Sequence, residues 1–356
     1  MFYNPYEKID STAWRKANFH AHSRQWRGIT AGSHNSAETV AARYKEINFD
    51  IVCISDYQNI NTLLASEKTY IPVYEHGFGV TKTHQLVIGA TDVSWKEYII
   101  FQNYHIKQDI INSLKKDNEV ISINHPRLRN AYTPNDLKYL KGYDLIEASS
   151  HSYFNATDLW DSALTAGNPV FAIGNDDNHD IYDPADYGYV YNMINCSDIN
   201  IENIKTALRD GKAFVVELEP KDDASAKMKI EQSSLVPVIT VCSIINDTLE
   251  MKFSRICDTL RLIGQNGILR NTLLNTDHVR YSLKETDTYI RAEIGQKNMT
   301  RVYLNPVFRY NGTIERVLPQ IDYLKTWFFR AIYIIIVSVI IILYLRSKRK
   351  KRIIKN

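Results

Sequence analysis

Seven short runs of apolar and β-branched residues punctuate the first half of this 356-residue chain, near 19–22, 51–55, 71–75, 86–90, 120–124, 145–148 and 170–174. Between and after them, residues 36–47, 108–116, 134–140, 158–166 and 201–210 carry apolar positions at helical spacing, with Asn35 or Ser36, Thr133 and Thr157 as candidate caps. Strand and helix in alternation build parallel βα units, because a parallel pair needs a long crossover and the helix supplies it. Seven such units predict an α/β fold, a barrel over residues 1–220 rather than an open sheet. In such barrels the chemistry gathers at the C-terminal ends of the strands.

The polar run EPKDDAS at 219–225 ends this pattern. Beyond it ITVCSI, LEMKFS, TLRLIG, YIRAEI and RVYLNPVF alternate apolar with polar residues, which predicts a separate small all-β domain of sandwich type over 226–316. Residues 327–345, WFFRAIYIIIVSVIIILYL, are uncharged from Ala331 onward and approach the roughly 20 apolar residues that a helix needs to cross a bilayer. Arg330 lies near the end of this run, where it can snorkel, and Trp327, Phe328 and Tyr344 suit the interfacial aromatic belts. A single C-terminal transmembrane helix is therefore expected, followed by a basic tail over 346–356.

That tail also explains the charge. The chain is formally +3, but seven Lys and Arg and no acid follow Leu345, so residues 1–345 hold 36 basic and 40 acidic groups, net −4. No nucleic-acid partner is expected of such a surface. The basic tail predicts a cytoplasmic C-terminus by the positive-inside rule, whereas the first thirty residues hold no apolar leader to deliver the domain across. Between these opposed signals the catalytic face is assigned to the cytoplasm, with the tail translocated or drawn back onto an anionic surface. The four cysteines are far apart and Cys53 sits in an apolar run, which favours buried free thiols over a disulfide framework or a zinc finger.

Most of the ten histidines fall at predicted C-terminal strand ends. His20 and His22 in NFHAHS are two apart on a strand, so both rings project to one face and can grip a metal or a close pair. Asp177 and His179 in GNDDNHD repeat the spacing and add a carboxylate, while Asp176 should face the other way. Glu75 closes YIPVYE, His84 opens HQLVIGA, and His125 follows EVISIN. His34, in the loop GSHNSAE, is within reach of the same barrel mouth. Six imidazoles with two carboxylates suit Zn, Mn or Fe and are too rich in nitrogen for Ca or Mg. His76, His105 and His278 read as surface or satisfied polar residues, and His151 in ASSHSY stands between the two readings.

The order HxH, an Asp after the second strand, Glu, His, HP and DxH, spread over roughly residues 18–216, resembles the polymerase and histidinol phosphatase (PHP) family of metal-dependent phosphoesterases. The β region, with YIRAEI and YLNPVFRY, looks like the small domain that follows the PHP domain in some bacterial members. The resemblance implies a distorted (β/α)7 TIM-like barrel, up to three metals and hydrolysis of a phosphoester by a metal-activated water. Carried over by position, it implies that His20, His22, Glu75 and Asp177 hold one metal, that Glu75, His84 and His125 hold a second, and that His34 and His179 contribute to a third. One departure stands out. Where the family commonly reads Asp-His, this chain reads Asp56-Tyr57, so the two-metal core is complete while the third site lacks an imidazole.

Two to three divalent transition metals per chain would lower the pKa of a bound water from about 16 toward 7 and share the developing charge, so no side-chain nucleophile is needed. Arg24 and Arg27 after HxH, and Arg127 and Arg129 after NHP, are candidate phosphate clamps. For protonation of the leaving group the candidates are metal-bound water, Tyr57 and His151. The leading expectation is a membrane-anchored phosphoesterase for a phosphorylated small molecule or lipid-like substrate. An amidohydrolase-like activity and a degenerate, membrane-tethered binding or scaffold module are the alternatives, the latter motivated by Tyr57.

Overall fold

Helices begin where the sequence places hydrogen-bonding side chains. In the computed structural model, which describes residues 1–115, 119–150, 154–220, 225–314 and 322–353, the Ser36 hydroxyl accepts from the Thr39 amide at 3.1 Å and starts Ala37–Glu46. Thr133 and Asp136 form a reciprocal capping box ahead of Pro134–Tyr139. Asn103 and Asn200 cap Tyr104–Leu114 and Ile201–Arg209. The expected cap Thr157 is instead the first residue of Thr157–Thr165, because its amide and hydroxyl both donate to Asn155 Oδ1.

The described strands fall into two sheets. The smaller runs Val73–His76, Gln85–Ile88, Val120–Ile123, Leu145–Ser150, with Phe171–Asn175 and the short Phe154–Asn155 also pairing to Leu145–Ser150. Its first two pairings are antiparallel, which corrects the expectation of uniformly parallel βα units. The reason is length: only residues 77–84 separate the first two strands, and a parallel crossover needs about a dozen residues or more. Parallel pairing resumes between Val120–Ile123, Leu145–Ser150 and Phe171–Asn175, where helices fill the connections.

The larger sheet carries Ile51–Val52, Trp14–Asn18, Val190–Asn195 and Ala213–Glu217, and continues through Arg301–Leu304 and Tyr289–Gly295 to Val307–Arg309 and Phe2–Tyr3. The long hairpin Thr248–Gly264 and Ile268–Ser282, with Ile239–Ile245 at its side, joins it through Tyr289–Gly295. The β-rich region beyond the helix Ala226–Ser234 is thus continuous by hydrogen bonding with the preceding α/β region. One apolar core shared by both regions packs Tyr44, Phe214 and Val216 with Met251, Leu260, Ile290 and Val302.

The sheets do not close into one ring of strands. Regular pairing of the first histidine-bearing segment stops at Asn18, and beyond it the sheets meet through the single bridges Ala21–Asn178 and Tyr57–Glu75. The amides of Asp177 and His22 donate to the carbonyls of His20 and Asn178 at 3.1 and 3.0 Å. Where the ladder fails, buried asparagines replace it: Asn175 accepts from the Phe19 amide at 2.8 Å and Asn18 from the Asp176 amide at 3.2 Å. A buried backbone group must be paired with something, and here side-chain amides supply the partner. All four cysteines are free and buried.

The helix Tyr323–Ile353 is long and apolar enough to cross a membrane. Its first turns dock on Tyr104–Leu114 and the loop before it. Arg330 pairs with Asp109 at 2.6 Å, Tyr333 lies edge-on to Tyr98, and Phe329 stacks on His105.

A buried ion pair ties the two regions together. Arg291, in Tyr289–Gly295, makes a two-pronged contact with Asp161, in Thr157–Thr165, at 2.8 and 2.7 Å, and the Tyr289 hydroxyl donates to the same carboxylate at 2.9 Å. Asp161→Ala strands a buried guanidinium and should destabilise the chain by about 3–5 kcal/mol. The urea midpoint of the detergent-solubilised protein reads this directly.

Candidate metal centre

Glu75, fully buried at the end of Val73–His76, is the centre of the site. Its Oε1 lies 2.8 Å from His84 Nδ1, 3.0 Å from His125 Nε2 and 3.3 Å from His20 Nε2, and its Oε2 lies 3.2 Å from His22 Nε2. Asp177 Oδ1 completes the near side, 3.0 Å from His20 Nε2 and 3.2 Å from His22 Nε2. The donors fall into two groups that share Glu75: His20, His22, Glu75 and Asp177, and Glu75, His84 and His125, with ligand atoms within 4.8 Å of one another in each.

This geometry fits metal ions. His20 Nε2, His22 Nε2, Glu75 Oε2 and Asp177 Oδ1 are buried and converge, yet none has a hydrogen-bond partner. Atoms that share one ion at about 2.1 Å stand a little over 3 Å from each other, which is the spacing found. The backbone is left-handed at two of these positions, Asp177 (φ +54°) and His125 (φ +23°). Such strain persists only where the surroundings enforce it.

The electrostatics agree. Burial works to raise the Glu75 carboxyl, but the surrounding imidazoles hold it well below the usual carboxylate range, and Asp177 is lowered in the same way, chiefly by His20 and His179 against burial. Burial works to lower His20 and His22. Asp177, Glu75 and Glu147 overcome it for His20, which stands well above its ordinary value, and Asp177 and Glu75 raise His22 to about 9. Protons and an ion therefore compete for the first donor group, whereas in the second burial lowers His84 to about 4.

The remaining expected residues are distributed unevenly. His179 Nδ1 is 3.6 Å from Asp177 Oδ1, and its Nε2 is 3.2 Å from the Tyr57 hydroxyl. Tyr57 stacks on His22 with ring centroids 4.3 Å apart. Burial, then Glu75 and Asp177, push its phenol well above 10. His34 is exposed and joins neither group. Arg24 is exposed, and Arg127, also exposed, pairs with Asp158. Arg129 donates to the Val80 carbonyl at 3.1 Å. His151 lies outside the described residues.

Asp176 accepts from the amides of Gly188, Tyr189 and Val190 and from the Tyr44 hydroxyl, so its carboxylate is structural. Asp56 does similar work beside the cluster, accepting the Ser23 amide at 2.7 Å. His76 is buried against Gln85 and the Lys96 carbonyl, and His278 is exposed on Ile268–Ser282.

Glu147 is the residue that sequence reasoning missed. Fully buried in Leu145–Ser150, it meets His20 Nδ1 at 3.2 Å and accepts the His125 amide at 2.7 Å and the Asn175 side chain at 2.9 Å. The available signal was a carboxylate in the middle of the otherwise apolar LIEA run, since an acid is seldom fully buried unless paired. It orients the imidazole of one predicted ligand and the backbone of another.

No protein-family model matches the chain, and no curated protein matches it. Among solved structures it is similar to a two-domain protein from Bacteroides vulgatus ATCC 8482, described as containing a predicted PHP-like metal-dependent phosphoesterase. The two share 13% identity over 83% of this chain and 93% of the other, with a TM-score of 0.45. It is also similar to PsfC from Pseudomonas syringae PB-5123, at 12% identity over 63% of this chain and all of the other, with a TM-score of 0.40.

Two outcomes are expected. Glu147→Ala frees the His20 ring and should weaken metal binding by roughly 10- to 100-fold in chelator competition. Because the raised His22 proton must leave before a metal binds, affinity should tighten as pH rises, by roughly tenfold per unit for each proton displaced, up to about pH 9. Calorimetry in buffers of different ionisation enthalpy counts the protons released.

Proposed function

We propose that this chain is a metal-dependent phosphoesterase of PHP type, in which the two sheets form a distorted barrel around the ligand cluster and the C-terminal helix anchors the protein in a membrane. The observation that carries this reading is the pair of buried donor groups sharing one carboxylate, Glu75. Nitrogen-rich donors of this kind suit Zn, Mn or Fe. One ion is assigned to each of the two donor groups, with His34, which is exposed, in neither.

When bound, such ions supply a nucleophile from water at neutral pH and neutralise phosphate charge. The protein's own part is positional. Glu75 holds both donor groups in register, Glu147 fixes His20, and Asp177 faces the two paired histidines. The Tyr57 hydroxyl, beside His179 at the rim, is placed to hydrogen-bond a phosphate oxygen or give a proton to the leaving oxygen. The substrate is a phosphate ester of a small or lipid-like molecule. Tyr57 in place of an imidazole favours a second reading, a binding module without turnover.

His22→Ala and Asp177→Ala each remove a donor from the first group. Turnover of a phosphate ester should fall at least roughly a hundredfold in each, with the thermal transition of the metal-free protein retained as the check on folding. Undiminished metal-dependent turnover in both variants would overturn the assignment. A carboxyl-ester and amide panel run beside it separates this chemistry from amidohydrolase-like cleavage.

A further inference from the structure

A groove of about 390 Å³ lies directly beside the metal cluster, lined by Trp26, Ile29, Tyr57, Phe78, Lys82 and Trp95. It shares a wall with the cluster: Tyr57 stacks on His22. Gly77, also lining the groove, packs so tightly on the second donor group that a Cβ there would come within 2.6 Å of His84 Cδ2, and its φ of +121° favours glycine. We propose that this groove takes the apolar chain of a bilayer lipid whose head group presents a phosphoester to the metal cluster. The head-group half of this assignment rests on the phosphoesterase reading; the groove does not.

Three observations point to a lipid chain as the occupant. The lining is apolar and exposed, with Ile29 at 86%, Trp95 at 58%, Phe78 at 46% and Trp26 at 45%, and Val80 next to it at 56%. Single exposed apolar residues are ordinary, but a contiguous patch beside a polar site marks a binding surface.

The rim is also fastened to the membrane-spanning helix. Trp26 packs edge-on to Trp95, the Phe78 amide donates to Glu97, and the Val80 amide donates to the Ile99 carbonyl. The Ile99 amide in turn donates to the Tyr333 hydroxyl, and Phe101 lies edge-on to the Tyr333 ring. Tyr333 is three residues past Arg330, the last charge before the uncharged stretch, hence about 4.5 Å further along the helix axis. This connection holds the rim level with the lipid head groups, where Trp and aromatic side chains are favoured.

The third observation is the placement of charge. The Lys82 ammonium lies 5.8 Å from the centroid of the Tyr57 ring, the ring that stacks on His22, and lines the groove among apolar residues. A cation at that junction suits an anionic head group with its chain running outward along the groove.

The test uses the full chain, metal-loaded, in phosphatidylcholine nanodiscs, with a series of alkyl phosphates from ethyl to decyl and the variants Ile29→Asp and Phe78→Asp. In the wild type kcat/KM should climb with chain length by up to roughly fourfold per methylene until the groove is filled. Partitioning into the bilayer raises local concentration alike for every variant, so the difference in slope reads the groove. A shallower slope in both variants supports the assignment. Equal slopes with turnover present overturn it, leave the phosphoesterase reading standing, and point to another occupant such as a second copy of the chain. If no alkyl phosphate is turned over, that reading fails, and the affinities of the matching alkyl phosphonates decide the groove: a rise with chain length that Ile29→Asp and Phe78→Asp reduce keeps it, and equal slopes sink it.

Discussion

A carboxylate with no exposed surface, Glu75, sets the terms for everything around it. An ionised acid removed from water is tolerable only if positive or donating groups replace its hydration, and the chain supplies four imidazoles from three separate segments to do so. Those imidazoles need partners of their own. Glu147 partners His20 Nδ1 and is in turn held by an asparagine side chain and a backbone amide, while His20 Nε2 and His22 Nε2 converge with Asp177 without a hydrogen bond, the gap an ion would fill. The acids and imidazoles hold one another in place where the two sheets approach each other, and there side-chain hydrogen bonds replace regular strand pairing.

Much of this was legible in the sequence because its signals are local. Two-residue spacing placed His20 with His22 and separated Asp177 from Asp176, and the caps at Ser36 and Thr133 lie where a hydrogen-bonding side chain precedes an amphipathic run. What escaped depends on distance in space. The reversal of Gln85–Ile88 follows from a short connection whose apolar flanks look the same in either direction. Glu147 needed its partners to be seen, since a lone acid in a strand gives no hint of what it faces. That Arg127 pairs with Asp158 at the surface likewise could not be read from the chain order. His34 was within reach by loop length alone, and loop length does not give direction.

The loops around the centre are shaped as closely as the strands. At Gly32 (φ +81°) a Cβ would come within 2.9 Å of His22 Cβ, so the segment bearing His34 packs on the first donor group while turning His34 itself to solvent. The same economy appears at the rim, where the Trp26 indole donates to the Tyr57 carbonyl at 2.7 Å and so ties the first loop to the residue that stacks on His22. Sequence variation in these loops would alter access to the site while leaving the buried donor set in place.

The pairing of Phe2–Tyr3 with Val307–Arg309 joins segments from opposite ends of the folded part of the chain. Tyr6 strengthens the closure, since its hydroxyl donates to the Ala213 carbonyl and accepts from the Asn305 amide. During synthesis Phe2–Tyr3 must therefore wait, without this partner, until Val307–Arg309 has followed. Contacts this remote in sequence slow folding and leave strand edges open in the interval. The long apolar helix Tyr323–Ile353 follows Val307–Arg309 closely in the chain, so the large sheet is completed only as that helix is being made, and a delay in the pairing would leave an open strand edge beside a newly exposed apolar segment.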